Sequence, residues 1–181
     1  MRLRIYFGGA SPNCGAGVRP YPIRRPALAH KNPTRFSRGS MSNKICHAMG
    51  KYFTIQELCH SRTAIKQGID NTPPPSAKVN LIALITNCLD PIRALWGGPV
   101  IVNSGFRTPM LNKAVGGTVN SQHMQGEAAD ITVGSPDKNR RLFSMIQAAG
   151  IQFDQLIDES NYAWIHVSWK ATGNRQQVLH L

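Results

Sequence analysis

The stretch from Ser121 to Asp130, SQHMQGEAAD, carries the strongest signal in the chain. It places His123 and Asp130 seven residues apart, and the residues that follow, Ile131-Thr132-Val133, are typical of a buried strand. Another histidine, His166, lies in a second strand-like run, WIHVS. Two histidines and one carboxylate are a normal ligand set for catalytic zinc, which keeps a fourth position open. The pattern therefore predicts a zinc site formed by His123, Asp130 and His166.

Each of these three residues also has a simpler interpretation. His123 fits a surface loop, Asp130 fits a solvated carboxylate at a strand edge, and His166 fits a hydrogen-bonded core histidine. Their combination favours the metal, because a carboxylate just ahead of an apolar strand is costly to bury without a partner.

The charge of the chain is concentrated at one end. The net charge is +12, but residues 1–48 hold nine of the 21 Lys and Arg residues and no Asp or Glu. The rest of the chain is only mildly basic. Nucleic-acid binding would depend on the basic segment alone, so we consider it unlikely. No apolar run is long enough to span a bilayer, and a membrane span is not expected.

The chain divides at about residue 48. Residues 1–48 are rich in Arg, Pro, Gly and Ser, and we expect a disordered basic extension. A mis-called start, with Met41 or Met49 as the natural first residue, is an equal alternative. The segment lacks the apolar run of a secretory signal, which leaves the localisation open. Residues 49–181 are predicted to form one domain.

The domain has an α+β pattern. Thr54 and Glu57 match a capping box, and Ser76 to about Leu89 is a strong helical stretch. Residues 99–104, PVIVNS, predict a strand, and a long loop is expected over 105–127. Ser135-Pro136 predicts the start of another helix. We therefore expect helices followed by a small antiparallel sheet, with one helix inserted between its strands.

Two further strands complete that sheet and carry candidate acids. Phe153 to Asp158 and Trp164 to Trp169 are predicted to pair as antiparallel strands, and Gln177 to Leu181 is a candidate last strand. If the turn is Ser160 to Ala163, Glu159 shares a face with His166 and Asp158 points the other way. A turn of different length reverses this, so Glu159 is the favoured general base and Asp158 the alternative.

Two more polar residues are candidates for binding substrate. Arg107 follows the PVIVNS strand and fits either a solvated loop arginine or a bidentate partner for a substrate carboxylate or carbonyl. Ser121 fits either a simple turn residue or a hydrogen-bonding group for the substrate or the ligand loop.

Three motifs together resemble those of the M15 family of zinc peptidases. They are SGFRTPMLNKAVGG (104–117), SQHMQGEAAD (121–130), and FDQLIDE followed by WIHVSW (153–169). Members of that family are D-alanyl-D-alanine carboxypeptidases and dipeptidases and L-alanyl-D-glutamate endolysins, and they share the fold of hedgehog signalling domains. The resemblance covers roughly residues 50–181.

The resemblance implies zinc bound by His123, Asp130 and His166, and Arg107 as the arginine that stabilises the substrate. It also implies an acidic base shortly before the last histidine. Many members have that acid three residues before the histidine, a position that is Ala163 here, so Glu159 takes the role instead.

The expected function is zinc-dependent hydrolysis of peptide bonds in peptidoglycan stem peptides, by a monomer. Carboxypeptidase and endopeptidase action both remain open. The alternatives are a non-catalytic, zinc-containing cell-wall-binding domain on the same fold and, more remotely, nucleic-acid binding through the basic tail.

Overall fold

Helices occupy the first part of the described chain. The computed structural model describes residues 50–181, so the predicted disordered extension 1–48 lies outside the described residues. The first helices are α1 (Ile55–Cys59), α2 (Arg62–Gln67), α3 (Pro75–Leu84) and α4 (Asp90–Trp96), with a π-helical turn, Ile85–Leu89, joining α3 to α4. The predicted start of α1 is confirmed, because Thr54 Oγ1 accepts a hydrogen bond from the Glu57 N–H at 3.1 Å. No helix within residues 50–181 is long and apolar enough to cross a membrane.

Five strands form one mixed sheet in the order β1-β2-β4-β3-β5. They are β1 (Ile101–Ser104), β2 (Ala128–Thr132), β3 (Gln155–Glu159), β4 (Trp164–Ser168) and β5 (Gln177–His180). The α+β fold class is confirmed, but β5 pairs parallel to β3 while every other pair is antiparallel. The order of the strands explains this pairing. Because β2 and β3 already lie on either side of β4, the chain that leaves β4 continues to the free edge of β3. There β5 starts at the end at which β3 starts, so the two strands run parallel.

One face of the sheet packs against helices and forms the core. Alternate residues of the central strands point to this face, among them Ile131, Leu156 and Ile165, all fully buried. Helix α7 (Pro136–Ala148) contacts β3 and β4 and contributes Leu142 and Ile146. Because strand side chains alternate, the residues between these core positions, such as Asp130 and His166, point to the opposite face.

The prediction of one long loop over residues 105–127 is wrong in one respect, since this segment contains two short helices. They are α5 (Pro109–Ala114) and α6 (Gln122–Gln125). Thr108 Oγ1 accepts from the Leu111 N–H, with Pro109 as the first helical residue. This is the same Ser/Thr-Pro signal that correctly predicted α7 at Ser135-Pro136, so the start of α5 was readable from the sequence.

Asn139 of α7 ties two parts of the sheet together. Its fully buried Oδ1 accepts from the Val133 N–H at 2.8 Å, and its Nδ2 donates to the Tyr162 and Ala163 carbonyls at 2.9 and 3.1 Å. The β3–β4 turn that it holds is strained, since Ser160, Asn161 and Tyr162 have φ of 51°, 56° and 63°. Non-glycine residues adopt such left-handed conformations at a cost, so the turn depends on bonds of this kind.

We expect Asn139→Ala to lower the free energy of unfolding by about 3 kcal/mol, because the buried Val133 N–H loses its acceptor and the Tyr162 and Ala163 carbonyls lose their donor. Asn87→Ala is the matched control: Asn87 is exposed and bonds only the Ala83 carbonyl of its own helix, so a change within about 0.5 kcal/mol is expected. Urea denaturation followed by circular dichroism measures both. Equal effects of the two substitutions would contradict this role for Asn139.

Candidate metal centre

A row of facing residues crosses the sheet and brings two of the predicted ligands together. Asp130 of β2 pairs with His166 of β4, and His166 pairs in turn with Ile157 of β3. On the other side, an irregularity between Val102 and Ser104 places Ser104 opposite Asp130. This β-bulge turns Ser104 onto the same face as the two candidate ligands.

The third predicted ligand, His123, reaches the row from helix α6. Its side chain is buried, and its Nδ1 lies 2.7 Å from the Gly105 carbonyl. A carbonyl can only accept, so Nδ1 donates to it and Nε2 is the ring nitrogen that faces Asp130 and His166. A histidine oriented by a backbone carbonyl in this way is the usual arrangement of a metal ligand.

The three side chains place their ligand atoms at the corners of a small triangle. His123 Nε2 lies 3.3 Å from His166 Nδ1 and 3.3 Å from Asp130 Oδ1, and His166 Nδ1 lies 3.0 Å from the same oxygen. Ligand atoms about 2.0–2.1 Å from a tetrahedral zinc ion lie about 3.3 Å apart. The three side chains therefore fit a zinc ion in the chemistry of their ligand atoms and in the distances between those atoms.

The electrostatic surroundings keep Asp130 ionised. Burial by itself raises the pKa of this carboxyl, but hydrogen bonds and charge interactions with His123 and His166 outweigh burial, and the pKa lies well below its usual value. Arg107 adds an ion pair, with a nitrogen of its guanidinium 2.7 Å from Asp130 Oδ2. A permanently ionised carboxylate is the form that binds a cation.

Arg107 is held at the rim of the site by three side-chain contacts. Besides its ion pair with Asp130, its Nε donates to Ser104 Oγ at 2.9 Å, and the nitrogen that pairs with Asp130 lies 3.4 Å from His123 Nε2. The guanidinium has five N–H donors, so these contacts leave others available. The contact with Asp130 was not expected from the sequence, which placed Arg107 against the substrate only.

The two candidate acids lie on opposite faces of β3, as the strand register predicted. Glu159 pairs with Trp164 and Ile157 with His166, so Glu159 is half-buried on the metal face and lines the cleft. Asp158 is buried on the other face, where it accepts from the Tyr162 N–H and contacts His180. Asp158 therefore stabilises the turn and does not face the metal centre.

The three ligand candidates lie in a cleft of about 480 Å³. Its lining includes Arg107 and Glu159, together with Ser121, which begins α6 without a side-chain hydrogen bond to that helix. The hydroxyl of Ser121 is therefore not used as a helix cap. All six site residues predicted from the sequence line this one cleft: Arg107, Ser121, His123, Asp130, Glu159 and His166.

Two positioning residues were missed by the sequence reasoning. Gly105 offers the carbonyl that orients His123, and its backbone approaches that of Leu58 so closely that an added Cβ would lie 2.3 Å from the Leu58 carbonyl oxygen. Ser104 holds Arg107. Ser104 and Gly105 stand three and two residues before Arg107 in the SGFR motif, which was the available signal.

The cysteines outside the basic segment take no part in the site. Cys59 and Cys88 are free, and burial raises the pKa of their thiols to about 11 and about 12. Such thiols remain protonated at neutral pH and are poor metal ligands.

Comparison with known proteins identifies a family and a relative that the chain resembles. The model of the Peptidase M15 family matches residues 51–168. Over 60 residues the chain is 38% identical to the zinc D-Ala-D-Ala carboxypeptidase of Streptomyces albus G. That alignment covers 33% of this chain and 24% of the relative, so the chain spans about a quarter of the relative's length. The family match covers well over half of the chain and includes the six predicted site residues that line the cleft. The chain therefore belongs to peptidase family M15.

Proposed function

We propose that this protein is a zinc metallopeptidase that hydrolyses peptide bonds in peptidoglycan stem peptides. The observation that supports this most strongly is the buried triangle of His123, Asp130 and His166, with ligand atoms 3.0–3.3 Å apart. The membership of family M15 agrees with it, as does the name of the relative, a zinc D-Ala-D-Ala carboxypeptidase.

The three side chains would hold zinc and leave one coordination position open to the cleft. Two imidazoles and one carboxylate form a catalytic rather than a structural ligand set. Zinc bound there supplies a Lewis acid, which polarises a carbonyl and lowers the pKa of water towards neutrality. Arg107 and Gly105 support the set from outside, one by pairing with Asp130 and the other by orienting His123.

Glu159 is our candidate for the general base. It lies on the cleft wall on the same face as His166, two residue pairs along the β3–β4 ladder. Diagonal neighbours on a sheet face are about 7–8 Å apart, which leaves room for a water molecule between the carboxylate and the ligands. Its carboxylate would accept a proton from water and donate it to the leaving amine.

Arg107 and Ser121 are our candidates for binding the substrate. Donors of the Arg107 guanidinium not used by Ser104 and Asp130 would bond the carbonyl or carboxylate next to the scissile bond. The Ser121 hydroxyl lies in the same cleft lining. Both groups bind and orient, and neither is needed to hold the metal.

We expect the purified protein to contain about one zinc ion per chain, and His123→Ala to lose most of it because a two-ligand site binds zinc weakly. His180→Ala is the matched control, since His180 contacts Asp158 on the opposite face and should leave the zinc content unchanged. Inductively coupled plasma mass spectrometry of dialysed protein measures both. Full zinc content in the His123 variant would refute the assignment of this ligand.

We expect Glu159→Gln to keep its zinc and to lower kcat on muropeptides by about 10²–10⁴-fold, because the amide cannot accept the proton. Asp158→Asn is the control on the neighbouring position. It should retain most of the turnover, since Asp158 faces away from the cleft. Mass spectrometry of digested muropeptides gives the rate and identifies the bond that is cut.

The same experiment separates the enzyme from the alternative of a non-catalytic cell-wall-binding domain. A binding domain would hold zinc and bind muropeptides, but neither the wild type nor Glu159→Gln would release a product. A cut after the penultimate residue of the stem identifies a carboxypeptidase, and an internal cut identifies an endopeptidase.

A further inference from the structure

A second cavity of about 550 Å³ adjoins the metal cleft and shares Arg107 and Val115 with it. One wall is the junction between α1 and α2, residues 60–63, and the opposite wall is strand β1. The proposed catalytic residues Glu159 and His166 are not part of its lining. The cavity therefore extends the cleft along one direction, and its role is separate from the chemistry of the metal centre.

The charges that line this cavity are all positive. They come from the arginines Arg62 and Arg107, and no Asp or Glu is present in the lining. Arg107 is already paired with Asp130, whereas the exposed Arg62 forms no ion pair within residues 50–181. An arginine without an acidic partner beside a polar cavity favours an anionic ligand, and its planar fork matches a carboxylate.

Strand β1 gives the cavity a second binding element. It is the edge strand of the sheet and pairs only with β2 among the strands of residues 50–181. All four of its residues line the cavity, and Ile101 and Asn103 are exposed. A free strand edge can accept an extended peptide as an additional strand through main-chain hydrogen bonds. Because β1 leads through Gly105 and Phe106 to Arg107, a peptide on this edge would also reach the metal cleft.

We propose that this cavity is a substrate subsite, in which an extended peptide lies along the free edge of β1 and Arg62 binds one of its carboxylates. The proposal rests on the proposed function, since it takes the substrate to be a peptidoglycan stem peptide. A stem with lysine at its third position carries two free carboxylates, that of its D-glutamate and that of its C-terminus. Arg62 is thus a specificity-determining residue outside the metal centre.

The test measures binding apart from turnover, by titration calorimetry with the full chain carrying Glu159→Gln and loaded with zinc. The probes are a synthetic stem pentapeptide with both carboxylates free, the same peptide amidated at D-glutamate, and the same peptide amidated at its C-terminus. We expect one amidation to weaken binding by about tenfold, since a charge-assisted hydrogen bond is lost. The amidation whose effect depends on Arg62 identifies which carboxylate occupies the subsite.

Adding Arg62→Gln should abolish the difference in affinity between the unmodified peptide and the amidated peptide that binds more weakly. Arg62→Lys in its place should retain part of that difference. Lys66→Gln is the matched control, because Lys66 is an exposed cation on the same helix and lies outside the cavity lining. It should leave the difference unchanged.

Three results would overturn the subsite: equal affinity for all three peptides, a difference that survives Arg62→Gln, or an equal loss with Lys66→Gln. Cleavage of muropeptides by the wild type decides the proposed function separately. A protein that cleaves muropeptides but binds the free and the amidated peptides equally well would refute the subsite and leave the proposed function standing.

Discussion

The alignment of Asp130 with His166 across the β2–β4 ladder is the constraint on which the rest of the site depends. Side chains alternate between the two faces of a strand, so a slip of one residue would move Asp130 into the core and a core residue into the cleft. The core prevents that slip, because Ile131 and Ile165, the next pair along the ladder, are fully buried against the helices. The hydrophobic packing on one face thus determines the position of the polar groups on the other.

His123 is positioned by backbone contacts rather than by the sheet. Gly126 ends helix α6 with φ of +74°, and a Cβ on it would lie 2.5 Å from the Ala77 carbonyl oxygen of α3. Gly105, whose carbonyl orients the imidazole, passes equally close to Leu58 of α1. Both approaches need glycine for lack of space, and at Gly126 also for the left-handed backbone. The helices therefore position the third ligand through two points where no side chain fits.

Charge is distributed unevenly over the two faces of the sheet. On the metal face, Asp130 lies among two histidines and Arg107, and its pKa is depressed. On the other face, Asp158 is satisfied by Tyr162 and His180. Within residues 50–181, Glu159 forms no ion pair with a basic side chain, and it lines the cleft. Of the two neighbouring acids, the one without a structural role is the one that faces the candidate ligands.

The sequence by itself determined the ligand candidates and the α+β class, because these follow from residue type and from periodicity. It predicted the face of Glu159 only for a turn of Ser160 to Ala163, and the strand register of the structure decided that condition. It also predicted the helix starts at Thr54 and Ser135 from local capping. Only the tertiary structure decided the parallel pairing of β5, the bulge that brings Ser104 to Asp130, and the cavity beside β1. These features join residues that lie far apart in the chain, and their geometry is set by packing and by strand edges left free, which no local pattern records.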